Sequence, residues 1–265
     1  MCTAILSLEP GAPVLLAGIR DEFTGRAWQP PARHWPDYPE LVGGLDLLAG
    51  GTWLAVAPEA RRVACVLNGR GVVAPAGSRL TRGVLPLRAA ADGKLARAGV
   101  ADFDPFHLLI AEPGRASLVS WDGETFTERE LAAGLHMVVN SGLADDLLGA
   151  APGTGNQQPG RDRELARLAH FLPRLRGAAR PAPRPDDPVA AAWADWLPVL
   201  DGDGIATDDP RALIVRHDVG EGRIYGTTSV SLVALSPDGV RYDFSGRPGD
   251  PAAWYSVPVP GLGPG

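Results

Sequence analysis

Cys2 directly follows the initiator methionine. Removal of Met1 before so small a residue would leave a cysteine carrying its own α-amino group. Nucleophile and base then belong to one residue. An α-amine titrates at about 7.7–8.0, so near neutral pH it can take the thiol proton, and the thiolate can attack an amide carbonyl. The plain alternative is a small apolar residue opening a strand. Arg20 and Asp21 lie in Ile19-Arg20-Asp21-Glu22-Phe23, at the end of an apolar run. A hairpin turning at residues 9–13 brings position 20 back beside position 2. Arg20 would then stabilise a thiolate or grip an anionic group, and Asp21 would orient the amine. Without that return they are a solvated turn. Asn68 and Asn140 each end a β-like run, in Val66-Leu67-Asn68-Gly69 and Val138-Val139-Asn140-Ser141. Two such amides can hold one oxyanion, although Asn-Gly is also a common turn pair.

Other motifs carry less. Gly50-Gly51-Thr52-Trp53 allows close backbone approach to a ligand, or simply a turn before a core tryptophan. Gly226, in Tyr225-Gly226-Thr227-Thr228, marks a bulge position in a long late strand. The five histidines lack metal-ligand spacing, and no phosphate-binding, dinucleotide-binding or nucleophile-elbow motif occurs. The seven arginines between Arg161 and Arg184, interspersed with Asp162 and Glu164, read as a solvated helix face.

The elements that must position these residues follow from runs and punctuation. Residues 2–8 and 14–19 form a first predicted hairpin around Glu9-Pro10-Gly11-Ala12-Pro13. Residues 52–57 with 62–67, and 106–111 with 116–121, form two more. A strand covers 135–139. Later strands cover 211–216, 223–234 and 239–244. Helices are expected within 79–90 and 189–200, with a short one beginning at 127–133. Residues 161–177 are amphipathic, with Leu165, Leu168, Leu172 and Leu175 on one face, and Pro173 argues for a kink or early end. Residues 178–188 read as a Pro-rich linker and 256–265 as a loose tail. Near-continuous apolar strands with helices grouped between them indicate an α+β fold of two antiparallel sheets stacked face to face, helices outside. The expected organisation is one domain over residues 1–255.

Composition agrees. The chain has 265 residues, 33 Gly and 26 Pro, yet 45% are hydrophobic, so the punctuation marks turns and not disorder. Two cysteines exclude a disulfide framework. The net charge of −6 argues against nucleic acid as a partner. No run suits a signal peptide or a membrane span, and a cytoplasmic location is expected.

Met1-Cys2, Ala17-Gly18-Ile19-Arg20-Asp21-Glu22-Phe23, Gly43-Gly44-Leu45-Asp46 and Gly50-Gly51-Thr52-Trp53-Leu54 occur in that order. With Ser78-Arg79, Arg82-Gly83, Val139-Asn140-Ser141 and Tyr225-Gly226-Thr227, they make the chain resemble the NRDE family, also called the transport and Golgi organisation protein 2 family. That family resembles N-terminal-nucleophile hydrolases, which implies a four-layer αββα sandwich. Cys2, Arg20, Asp21, Asn68 and Asn140 resemble the site residues of choloylglycine and penicillin-V amidases. Two positions depart: the family's eponymous Asn is Ile19 here, and its usual Arg after Tyr-Gly-Thr is Thr228.

Two functions follow as expectations. The first is a cysteine amidohydrolase acting on a non-peptide C–N amide bond of a small molecule, with no cofactor required. The second is a binding or trafficking protein for haem or an acyl-type lipid. There, Trp28, Trp35 and Tyr38 would be exposed and line an apolar site, and His34 would be an axial ligand. The sequence leaves oligomeric state open.

Overall fold

Gly11 has φ +73°, a left-handed conformation that glycine adopts without penalty, and it closes the connection between β1 (Thr3–Leu8) and β2 (Val14–Phe23). Both strands are buried almost throughout. The computed structural model describes residues 2–149 and 160–259.

The chain continues through β3 (Trp28–Ala32), β4 (Val42–Asp46), β5 (Leu54–Ala57) and β6 (Arg62–Asn68) to helix α1 (Val84–Asp92). Then come β7 (Phe106–Glu112), β8 (Arg115–Trp121), β9 (Phe126–Glu130), β10 (Gly134–Val139) and β11 (Gly142–Leu143). Helices α2 (Ala144–Gly149), α3 (Arg161–Gly177), α4 (Val189–Trp193) and α5 (Trp196–Leu200) follow as a group. Strands β12 (Arg216–Asp218), β13 (Ile224–Ser236), β14 (Gly239–Ser245) and β15 (Trp254–Ser256) end the described chain.

Two antiparallel sheets result. One is ordered β11-β10-β1-β2-β13-β14-β15, with β12 also paired to β13; the other runs β3 to β9 in chain order. Side-chain alternation then divides the core into three. Between the sheets, Ala4, Leu6 and Leu16 meet Val56, Val63 and Leu109. On the outer face of the first sheet, Ile5, Leu15 and Ile19 meet Leu168, Phe171, Leu172 and Trp193 of the helix group. On the outer face of the second, Ala55, Ala64 and Leu108 meet Leu85 and Ala89 of α1. Three cores separate four layers, helix–sheet–sheet–helix, with one helical layer much thinner than the other. Each buried Leu or Ile adds about 1.5–3 kcal/mol of transfer free energy.

Several elements differ from expectation. Residues 127–133, expected to begin a helix, contain the edge strand β9, whose Thr127 to Glu130 are all exposed. Strands β3 and β4 were not anticipated, because Pro30-Pro31 and Gly43-Gly44 weaken the strand signal and a register shift between Gln29 and Ala32 accommodates the prolines. Helix α1 starts at Val84, after an irregular segment. Helix α3 runs through Pro173 to Gly177, held by buried Phe171, Leu172 and Leu175. The expected helix 189–200 is broken at Ala194, with φ +40°. Of the expected strand 211–216, only Arg216 is in a strand. Residues 178–188 cross the first sheet without helix or strand over 179–188, and Arg180 donates to Ser7 Oγ at 2.8 Å and to the Pro13 carbonyl. Of the tail expected to be loose, residues 260–265 lie outside the described residues, whereas Val257 is buried and donates to the Tyr242 carbonyl at 2.8 Å.

Candidate active site

The β1–β2 register pairs Thr3 with Ile19, so position 2 falls opposite Arg20. β1 also pairs with β10, Thr3 against Val139, which sets Asn140 opposite position 2 on the other side. Cys2 thus lies at the strand end flanked by two of the expected residues. It is half-buried and packs against the inter-sheet core. Its Sγ donates to the Asp21 main-chain oxygen at 3.6 Å, and the Tyr225 hydroxyl donates to the same oxygen at 3.2 Å. Burial pushes the Cys2 thiol above its ordinary pKa; positive charge at the chain terminus and Arg20 oppose this, and Asp21 adds to it. A proton acceptor is therefore needed to form the thiolate.

Alternation sends Arg20 and Asp21 to opposite faces of β2. Arg20 is buried between the sheets. It donates from Nη1 to Thr228 Oγ1 at 2.8 Å and from Nη2 to Asp46 Oδ2 at 3.1 Å, and it stacks 4.6 Å from the Trp53 ring centre. Arg26 donates to the same Asp46 oxygen at 2.6 Å. Burial works against the Asp46 carboxylate, but the bonds from Arg26 and the Ala49 amide and the charges of Arg26 and Arg20 outweigh it and hold its pKa low. The Asp21 carboxylate faces the helical layer. It accepts from Thr227 Oγ1 at 2.6 Å, and Arg167 Nη1 of α3 lies 3.5 Å from it while also donating to Thr3 Oγ1 at 2.7 Å.

A cavity of about 360 Å³ opens beside Cys2. Cys2, Arg20, Asp21 and Asn68 all line it. Asn68 ends β6, opposite Phe106, and is exposed. Asn140 does not line this cavity, despite the register. It sits in the β10–β11 turn with its Oδ1 buried and, among the described residues, without a hydrogen-bond partner. Next to it, the Ser141 amide donates to Glu164 Oε2 at 3.1 Å, and Arg70 binds both Ser141 Oγ at 2.8 Å and Glu164 at 2.6 Å.

Sequence reasoning missed Asp46, Trp53, Thr227, Thr228 and Arg167 as partners of the expected residues. The bulge anticipated at Gly226 occurs two residues later, between Thr227 and Ser229, so the extra residue is Thr228. On either side of that irregularity's start, Thr227 reaches Asp21 and Thr228 reaches Arg20. The Gly51-Thr52-Trp53 approach also has a physical cause: a Cβ on Gly51 would lie 2.3 Å from the Gly83 carbonyl carbon, so only glycine lets these two cavity walls meet. Trp28, Trp35 and Tyr38, expected to be exposed, are half-buried. Trp28 packs edge-on against Trp53 and Phe244, and Trp35 donates to the Gly50 carbonyl at 2.9 Å. His34 Nε2 lies 2.9 Å from the Pro30 carbonyl oxygen. Among the described residues, no group of three or more His, Cys, Asp or Glu is arranged to hold a metal ion, and no helix is long and apolar enough to cross a membrane.

The helix–sheet–sheet–helix layering resembles the fold of N-terminal-nucleophile hydrolases. The fold comparison agrees: a Caenorhabditis elegans N-acylethanolamine-hydrolyzing acid amidase ortholog matches with a TM-score of 0.50 and 11% identity, over 97% of this chain and 100% of the other. The model of the Transport and Golgi organisation 2 family matches residues 1–152, more than half of the chain, and the protein belongs to that family. No curated protein matches by sequence. The two departures from the family pattern now have locations. Ile19 is buried against the helical layer, away from the cavity, and Thr228 exchanges hydrogen bonds with Arg20, accepting from its Nη1 and donating to its carbonyl at 3.3 Å.

Proposed function

We propose that this protein is a cysteine amidohydrolase that cleaves a non-peptide C–N amide bond after removal of Met1. The α-amine of Cys2 takes the Sγ proton, and the thiolate attacks the carbonyl carbon. Asn68 Nδ2 donates to the oxyanion that forms. The intermediate collapses with cleavage of the C–N bond, and the leaving nitrogen takes the proton from the α-ammonium. A thioester on Cys2 remains. Water adds to it, the amine again accepting a proton, and release of the acid returns the thiol. Arg20 supplies positive charge close to the sulfur, and Asp21 supplies the carbonyl that orients the thiol.

The observation that carries this reading is the opening of a 360 Å³ cavity on Cys2, Arg20, Asp21 and Asn68 together. Asn140 contributes a second amide only if the β10–β11 turn shifts toward the cavity, so Asn68 is assigned the oxyanion alone. The test is hydrolysis of a panel of fluorogenic N-acyl amides. Turnover that falls at least 100-fold in Cys2→Ala supports the reading; equal turnover in both proteins, or none in either, counts against it.

The competing proposal is a carrier of haem or an acyl lipid. The aromatic residues invoked for it pack into the protein, and the His34 ring is engaged by Pro30. A Soret shift on haem titration that is lost in His34→Ala would favour the carrier.

A further inference from the structure

The walls of the cavity carry four arginines, Arg20, Arg26, Arg79 and Arg82. Three of them are matched locally. Arg20 and Arg26 share Asp46, with Glu22 3.8 Å from Arg26, and Arg79 lies 3.2 Å from Asp104. The remaining lining carboxylate, Asp21, faces Arg167 from the helical layer. Arg82 is left over. Among the described residues no carboxylate lies within 4 Å of it, and its one hydrogen bond runs from Nη1 to the Pro105 carbonyl at 2.8 Å.

That bond has a chemical consequence. It uses the outer nitrogen on one side of the guanidinium and leaves Nε and Nη2, the pair that forms one edge of the planar fork. Such an edge matches the two oxygens of a carboxylate, with two parallel charge-assisted bonds. Arg82 is half-buried, and burial pushes its pKa down, so its charge is incompletely solvated. Cys2 is close enough for a thiolate there to act on the Arg82 charge. The position is also fixed: Arg82 precedes Gly83, whose carbonyl accepts from the Thr52 amide at 2.8 Å.

We propose that Arg82 is a specificity-determining residue, and that the cavity takes an amide that carries a carboxylate, bound edge-on by Arg82 Nε and Nη2. This rests on the amidohydrolase reading for the fate of the ligand, but not for its binding. The test therefore reads binding by calorimetry in Cys2→Ala, where no turnover interferes. The probes are N-hexanoylglycine, with the carboxylate on the amine side, and N-butylsuccinamic acid, with it on the acyl side, each against its methyl ester. At least one acid should bind about ten-fold tighter than its ester. Adding Arg82→Gln should bring that ratio to near one, while Arg82→Lys, which keeps the charge without the fork, should keep part of it. Unchanged thermal melting of the Arg82 variants checks their folding. Equal binding of acid and ester, no binding of any probe at millimolar concentration, or a preference that survives Arg82→Gln would each overturn the proposal. An Arg82-dependent preference in a native chain that hydrolyses nothing would keep it and sink the amidohydrolase reading alone.

Discussion

Arg20 Nη2 donates to Asp46 Oδ2 at 3.1 Å, joining a central strand of one sheet to a strand of the other directly beside Cys2. The side chains are only 5% and 11% exposed, so the pair is largely buried although both residues line the cavity. Arg26 adds a second cation to the same oxygen. Asp46 is thus the anchor that keeps Arg20 at the cavity.

Replacing that anchor leaves a buried guanidinium short of its counter-charge. Asp46→Ala is expected to cost about 3 kcal/mol, in the range for breaking a buried pair by removing one partner. Urea unfolding should show a lower midpoint with an unchanged slope. A loss below about 0.5 kcal/mol would mean that Arg20 finds water or another partner.

Acid should destabilise the protein through the same group. Asp46 has a folded pKa below its unfolded value, and so does Glu112: burial opposes its charge, but bonds from Arg62 and Arg115 prevail. Groups of this kind bind fewer protons folded than unfolded. Their contribution is complete above the unfolded carboxylate range, about 3.9–4.3, and disappears as pH falls through the folded values. Burial also lowers the pKa of His107 and His217, so stability from urea titrations should begin to fall below about pH 6.5 and fall further below about pH 4, the second decline being less steep in Asp46→Asn. An identical slope in that variant would remove Asp46 from the explanation.

Neighbouring glycines should respond differently. A Cβ on Gly51 meets the Gly83 backbone at 2.3 Å, and backbone cannot move aside as a side chain can. Gly51→Ala is expected to lose about 3 kcal/mol or more, at the upper end of overpacking costs. Gly50 has open space around it but φ +70°, so Gly50→Ala should lose only about 1 kcal/mol. Calorimetric melting of both variants checks the order. Gly51→Ala melting at or above Gly50→Ala would contradict the close approach of the two walls.

Glu164 is fully buried and accepts from Arg70 and the Ser141 amide, tying α3 to the turn that holds Asn140. Glu164→Gln keeps the shape but removes the charge opposite Arg70. A loss of about 2–3 kcal/mol is expected, since hydrogen bonds to charged groups exceed neutral ones. Faster amide exchange at Ser141 should accompany it. Exchange unchanged there would mean that the turn holds without Glu164.

What the sequence disclosed, it disclosed through local punctuation. Glu9 to Pro13 made a short hairpin predictable, and with it the meeting of Cys2 and Arg20. Apolar strand runs made two stacked sheets predictable. The partners of the site were less legible, because they come from distant parts of the chain. Thr228 reaches Arg20 across 208 positions, and Asp46 reaches it from the other sheet. Thr227 and Thr228 act on opposite faces through strand alternation, next to an irregularity in β13 that Gly226 hinted at but did not locate. Arg167 sat within a run of arginines that reads as a wet helix face, yet it is 1% exposed and faces Asp21. Period and composition do not separate a buried arginine from those nearer the surface. β9 was misread because its exposed, charged residues lack an apolar alternation.

Cys2 as an acylated amino-terminal nucleophile is most directly tested by intact-mass spectrometry with peptide mapping. Protein from its native host would be incubated with a strained cyclic amide such as a β-lactam. The expected spectrum lacks Met1 and carries one acyl adduct, mapped to Cys2 and absent from Cys2→Ala. Retention of Met1, or an adduct that persists in Cys2→Ala, would contradict the mechanism.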